Sequence, residues 1–209
     1  MADNYLEKKM EDYRSAQPAK RRTATLRRLL LHNRSYRGYD ASFKVREDQL
    51  RRIIEVATLC PSARNQQVLR FRPVLGNEAE VVLEHIRLGG ALPELHLPFP
   101  GTEPNAFIVI CSTIPDSHYV SVDLGIVAQS MLLQAVELGL GGICIGAFNH
   151  EEIKTKLNLD YEPLLVIAIG RPAEHIELKE CNEGDSLTYY REGDTHYVPK
   201  IKIDDLIIK

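Results

Sequence analysis

From Asp123 to Phe148 the chain reads DLGIVAQSMLLQAVELGLGGICIGAF, a long apolar helical pattern that passes through glycines into a short apolar strand. Leu124, Val127, Ala128, Met131, Ala135 and Leu138 recur at helical spacing, while Ile126, Leu132, Leu133 and Val136 occupy the remaining faces. Gln129, Ser130, Gln134 and Glu137 are too few to make a solvated face. Such a helix needs protein on several sides, supplied either by the rest of its own chain or by a second subunit.

At 209 residues, 44% of them hydrophobic, the chain suffices for one domain with its own core. A net charge of -3 argues against general affinity for nucleic acid or an anionic membrane, although basic residues cluster near the N-terminus. No run reaches the roughly 18 apolar residues of a membrane span, and MADNYLEKKMEDYR is charged where a signal peptide would be apolar, so a cytoplasmic location is the default expectation. The cysteines Cys60, Cys111, Cys144 and Cys181 stand far apart without a CxxC pair. His150-Glu151 lacks the second histidine of HExxH, and no GxSxG elbow is present, so neither a metal site nor a serine nucleophile is expected.

In chain order, Tyr5, Leu6, Met10 and Tyr13 mark an amphipathic helix over residues 5–15, followed by a second from about Thr23 to His32. The cluster after it, Asn33-Arg34-Ser35-Tyr36-Arg37-Gly38-Tyr39, can aim forked guanidinium donors and a hydroxyl at one phosphate. It reads equally as a solvated basic surface or a nucleic-acid patch. A helix over Arg46–Leu59 stops at Pro61. The loop Pro61-Ser62-Ala63-Arg64-Asn65-Gln66-Gln67 then either binds a polar ligand or uses Ser62 and Asn65 to satisfy its own turn.

A strand is expected at Leu69–Leu75 and a helix over residues 76–92. Between Leu92 and Asn105 four prolines impose a loop, which is a candidate lid. Ala106–Ser112 and Pro163–Ile169 read as buried strands, and Asn149 with Glu152 caps a helix ending near Leu159. After Gly170-Arg171-Pro172 the chain turns polar until an extended tail at Val198–Ile203. With helices before the first strand and no GxGxxG after one, an α+β fold with a small sheet wrapped by helices is the expected class.

The ordered set Arg34-Ser35-x-Arg37, Pro61-Ser62-x-x-Asn65-x-Gln67, Asp123-x-Gly125-x-x-x-Gln129, Gly139-Leu140-Gly141 and Ile145-Gly146-x-Phe148 resembles the FMN-dependent nitroreductase family. Asn158-Leu159, Gly170-x-Pro172 and Pro199-Lys200-x-Lys202 follow in the family's order. The resemblance implies one nitroreductase-like domain over residues 1–209, with an N-terminal helical arm (about 1–20), a small mixed sheet, an extended tail (about 196–209) and the long helix at a homodimer interface.

It also implies FMN as cofactor. Arg34, Ser35 and Arg37 would hold the phosphate and ribityl chain, with a cation near flavin N1. Pro61, Ser62, Asn65 and Gln67 would belong to the loop that reaches the flavin from the partner subunit. Cys144, Ile145, Gly146 and Ala147 would lie along the ring, the backbone of Gly146 donating toward N5, and Lys200 and Lys202 would close over the phosphate. Asn33 and Ala63 stand where many relatives have arginine and serine, so Arg28 or Arg191 is a candidate to compensate. Cys144 would serve either as a packing thiol or as a modulator of the flavin.

The activity implied is ping-pong reduction of a nitroaromatic, quinone or similar flat acceptor at the expense of NADH or NADPH, with flavin N5 rather than a side chain doing the chemistry. A non-catalytic FMN-binding or flavin-handling protein of the same fold is the alternative. A binder using the N-terminal basic helix is a third class. No nucleic acid or membrane partner is expected under the first two.

Overall fold

A computed structural model describes residues 25–90 and 92–208; the helix expected over residues 5–15 lies outside them. The first described helix, α1 (Leu26–His32), starts where the Thr25 hydroxyl accepts the Arg28 N–H. Helix α2 (Glu47–Glu55) passes into a 3₁₀ turn over Val56–Leu59, so the single helix expected over Arg46–Leu59 tightens before Pro61. Strand β1 (Leu69–Leu75) has the expected bounds. Helix α3 (Asn77–Glu84) is half the expected length, because residues 85–87 leave it to bridge the chain at Phe148.

Strand β2 (Ala106–Ser112) is buried at every residue. Helix α4 (His118–Glu137) begins six residues before Leu124, because the Ser117 side chain accepts the Val120 N–H and starts the helix in a polar stretch. It ends in a Schellman motif: the Leu140 N–H reaches the Ala135 carbonyl and the Gly139 N–H that of Val136, with Gly139 at φ 74°. Strand β3 (Gly141–Ile145) follows, then α5 (His150–Lys156), capped by Asn149 Oδ1 on the Glu152 N–H. Strand β4 is Glu162–Gly170.

The main sheet has the order β1-β2-β4-β3 and is antiparallel throughout. One core, built on Leu50, Ile53, Ile108, Ile110, Met131, Ile167 and Ile169, fills the face toward α2 and α4. The other, with Phe107, Val109, Val166, Val82 and Ile153, fills the face toward α3 and α5. Two-sided burial explains why β2 and β4 read as continuous apolar runs, with no alternation. Mixed pairing belongs to a second sheet: β5 (His175–Cys181), β7 (Thr195–Ile201) and β6 (Tyr190–Glu192), with β7 in the middle, parallel to β5 and antiparallel to β6. The extended tail is therefore the centre of a sheet, and a short helix α6 (Ile203–Leu206) follows it.

Helix α4 buries Val120, Val127, Ala128, Met131, Leu132 and Ala135 against the sheet. Tyr119, Val122 and Ile126, one helical stripe, stay 61%, 45% and 37% exposed, so the chain covers only part of this helix. Its length and apolar composition alone would allow it to cross a membrane, as would those of many core helices. Gly142 is required at the start of β3: a Cβ there would stand 2.9 Å from Leu132 Cδ2 and from Ile169 Cδ1 and closer still to the Ala168 carbonyl. We predict that Gly142→Ala lowers unfolding free energy by about 1–3 kcal/mol, the usual cost of overpacking; urea denaturation showing wild-type stability would contradict this packing.

Candidate functional site

Beyond β3, on its open edge, run residues 33–37. Ser35 forms a parallel bridge with Gly142, and the Tyr36 N–H donates to the Gly142 carbonyl at 3.3 Å. Gly141 permits this approach, since a Cβ there would lie 2.6 Å from Tyr36 Cδ2. The structure thus brings Arg34, Ser35 and Arg37 beside the strand that continues into Cys144, Ile145, Gly146 and Ala147.

Within that segment Arg34 Nη2 donates to the Leu30 carbonyl at 2.5 Å and Arg37 Nη1 to the Ser35 carbonyl at 3.0 Å. The Nε atoms of both arginines are buried without a partner. Burial lowers the Arg34 pKa, against the pull of Tyr36, and the guanidinium stays charged. Asn33 donates to Gln129 Oε1 of α4 at 3.3 Å, which gives the Gln129 of the sequence motif a structural use. Arg191 pairs with Glu174 at 3.6 Å.

Gly146 is exposed, and a Cβ on it would meet nothing within 4 Å, so its backbone is open to a flat ligand. The Arg87 N–H donates to the Ala147 carbonyl at 2.8 Å, tying residues 85–87 to this strand end. A cavity of about 480 Å³ lies there, lined by His85, Arg87, Ala147, Phe148 and Asn149 among others. Ile145 points into the core. Cys144 is partly open to solvent, yet the protein packed around the thiol pushes its pKa up to about 11, leaving it protonated at neutral pH.

The Pro61–Gln67 loop lies elsewhere. It enters β1, the opposite edge of the sheet, three strand spacings or roughly 14 Å from β3. Arg64, Asn65 and Gln67 all hold positive φ, 53°, 54° and 49°, a conformation that costs energy in residues with side chains and needs outside support. Asp123 supplies it. Both carboxylate oxygens, on a residue only 4% exposed, accept the Ala63 N–H at 2.9 and 3.1 Å. Ser62 Oγ accepts the Gln67 N–H at 3.2 Å and Asn65 Oδ1 accepts from Gln67 Nε2 at 3.0 Å, so the turn uses its own hydroxyl and amide. Pro61, Ser62, Gln67, Asp123 and Val127 help line a cavity of about 130 Å³ between loop, β1 and α4.

The third group falls on the second sheet. Lys200 is an exposed residue of β7, and Lys202 Nζ donates to Asn182 Oδ1 at 3.0 Å. Sequence reasoning missed what joins this sheet to the basic segment. Glu174, which precedes β5, accepts the Arg37 N–H at 2.6 Å, and its other oxygen lies 3.6 Å from Arg191 Nη1. The Arg37 guanidinium lies 4.8 Å from the Tyr189 ring centre, and His196 of β7, 1% exposed, packs on the same ring at 5.1 Å. Burial, then Arg37 and Arg191, hold His196 below the usual imidazole range, with Glu174 opposing, so the ring is neutral at pH 7. From His196 to Lys200 is four residues of strand, about 13 Å, so Lys200 sits well along β7 from the Arg37 cluster and Lys202 lies just beyond the strand's end.

A sequence model described as the Nitroreductase family matches residues 30–171, and the chain belongs to that family. A Methanocaldococcus jannaschii protein bearing the nitroreductase name is 43% identical over 57 residues, which span 27% of this chain and 29% of that relative. The FMN-dependent nitroreductase of Clostridium difficile R20291 is similar in structure, with a TM-score of 0.58 and 26% identity over 70% of this chain and 87% of its own. A nitroreductase family protein of Streptococcus pneumoniae TIGR4 shares the fold at a TM-score of 0.64, with 19% identity over 88% of this chain and 100% of its own. The matched span stops at residue 171, just before Glu174 and the second sheet.

Two outcomes are expected from this geometry. Asp123→Ala strips the acceptors from a half-buried N–H, so it lowers stability by about 1–3 kcal/mol and speeds trypsin cleavage after Arg64; wild-type cleavage and unfolding curves would exclude this support. Alkylation of Cys144 by iodoacetamide, followed by mass spectrometry, climbs until pH passes about 11, and a plateau at the ordinary thiol value of 9.0 would contradict the environment described.

Proposed function

We propose that this protein is an FMN-dependent oxidoreductase whose flavin sites are shared between two copies of the chain, and that it works in the cytoplasm. The observation that carries the reading is the pair of buried, unpartnered Nε atoms of Arg34 and Arg37 on a segment bridged to β3. Buried N–H groups of this kind cost free energy until an acceptor arrives, and a phosphorylated ribityl chain is rich in acceptors. The open backbone at Gly146 suits a flat ring laid along the same edge.

In this reading Arg34, Ser35 and Arg37 hold the phosphate and ribityl chain, and Arg37 keeps a permanent positive charge beside the ring, which favours its reduced, anionic form. Cys144, Gly146 and Ala147, with the backbone of Ile145, form the wall along the ring, and the Gly146 backbone is the candidate donor toward N5. The family resemblance also assigns Lys200 and Lys202 to the phosphate, although within one chain they sit well away from Arg37. When bound, FMN would supply the redox chemistry, hydride exchange between NADH or NADPH and a nitroaromatic, quinone or similar flat acceptor in ping-pong order. The residues' task is to bind, orient and charge-stabilise, and no side chain is assigned as a general base.

Two copies are invoked because one chain keeps Pro61, Ser62, Asn65 and Gln67 at the far edge of its own sheet. The exposed stripe of Tyr119, Val122 and Ile126 on α4, with Leu26, Leu30 and Leu31 on the neighbouring α1, offers an apolar face for the second copy. Pairing along it would let each loop serve the partner's flavin.

Purified protein is expected to carry, or take up, yellow releasable FMN and to oxidise NADH or NADPH steadily once a quinone is added. Colourless protein that takes up no FMN would overturn the proposal, whereas bound flavin without turnover would favour the non-catalytic alternative. Arg37→Ala removes a charge-assisted contact worth about 1.5–3 kcal/mol, so the FMN Kd should rise roughly ten- to hundredfold. Fluorescence titration of apoprotein showing an unchanged Kd would sink the assignment of this arginine.

A further inference from the structure

We infer that Glu174, outside the span matched to the family, is a positioning residue for Arg37, through which the second sheet sets both the place and the strength of the charge beside the flavin. The inference rests on the flavin site proposed above.

Its geometry is that of a brace. Glu174 Oε2 takes the Arg37 N–H at 2.6 Å, and the side chain is 7% exposed. The Ala173 N–H donates to the Gly38 carbonyl at 3.1 Å, so residues 37–38 and 173–174 grip each other from both directions. Gly38 makes room for this, since a Cβ there would stand 3.1 Å from Glu174 Cγ. On the other side Arg191 of β6 approaches Glu174 Oε1 at 3.6 Å and lies over the Phe99 ring at 5.2 Å. The Tyr189 ring faces the Arg37 guanidinium, and the buried His196 backs that ring.

Charge follows from position. Arg37 and Arg191 bring two positive charges into a poorly hydrated cluster, and the Glu174 carboxylate offsets one of them. Charges there are screened less than at the surface, so Glu174 moderates the field that Arg37 exerts. Because Arg37 holds a hydrogen bond from its side chain to Ser35 as well as one from its backbone to Glu174, a shift of its main chain would move the guanidinium and the Ser35 segment together.

The test compares Glu174→Gln, which keeps an oxygen to accept the Arg37 N–H, with Glu174→Ala, which does not. FMN affinity of the apoprotein is measured by fluorescence quenching, and the midpoint potential of the bound flavin by dye-linked reductive titration. In Glu174→Gln the potential rises, because a negative charge is gone, while affinity changes little. In Glu174→Ala the potential also rises and the FMN Kd grows about tenfold or more, the loss of one charge-assisted hydrogen bond. A potential unmoved in both variants overturns the inference, even if affinity falls, since Glu174 would then serve stability alone. Should Glu174→Ala fail to fold, the potential of Glu174→Gln decides. Wild-type apoprotein that binds no FMN overturns the proposed function and this inference together; wild-type binding with unshifted variants overturns the inference only.

Discussion

Much of this architecture depends on the close packing at Gly141 and Gly142, where the Tyr36 and Pro172 rings, the Leu132 and Ile169 side chains and the Ala168 carbonyl crowd one stretch of strand. Strand β3 sits so near β4, Leu132 of α4 and the Tyr36 ring that no side chain fits at either glycine. Packed protein interiors leave few gaps of methyl size, so a contact this tight fixes the distances between the segments that make it. Its consequence is chemical. A segment with two arginines is held beside a strand whose far end, at Gly146, has an open backbone. The Schellman motif at Gly139 makes this possible by ending α4 sharply enough for the chain to turn back into the sheet.

The same sheet order that builds this edge separates it from the Pro61–Gln67 loop. With β3 and β1 at opposite edges, the two halves of the proposed flavin site stand apart within one chain. The loop nevertheless is constructed with care: three side-chain-bearing residues at positive φ are maintained by a buried carboxylate from α4, Asp123. Strain of this kind persists when surrounding structure over-determines it, and it clusters where a ligand or partner must be met. Helix α4 thereby links both halves. Its N-terminal part anchors the loop, its Gln129 holds Asn33 ahead of the basic segment, and its last turn delivers β3.

The legible parts of the fold were those where local pattern and tertiary environment agree. Strands β1 and β2 have their expected bounds because Gly76, Asn105 and the turn after Ser112 punctuate them, and β4 differs by a residue at each end. Helix α4 was recognised from Leu124 onward, but its first six residues carry polar groups and depend on the Ser117 cap. Strands β5 and β6 escaped notice because neither buries a full face: in HIELKEC the alternation of Ile176 and Leu178 stops after two apolar positions, and YRE is too short to show a period. In the candidate site, Arg34, Ser35, Arg37 and Gly146 could be named from motif and chemistry. Asp123 could be named only as part of a motif, with no role, since its partner is an N–H 60 residues away. Glu174 and His196 carried no signal, because their significance comes from pairings across 137 residues and from burial that polar sequence does not announce.

The proposal of a flavin site shared between copies stands or falls on whether the basic segment of one chain works with the Pro61–Gln67 loop of another. Subunit complementation addresses this directly: a chain with Arg37→Ala is refolded together with a chain carrying Ser62 and Asn65 both replaced by alanine, each having been shown to bind FMN poorly alone. Mixed dimers should contain one intact site, and tight FMN binding should reappear in the mixture. Weak binding that persists in demonstrated mixed dimers would contradict a shared site.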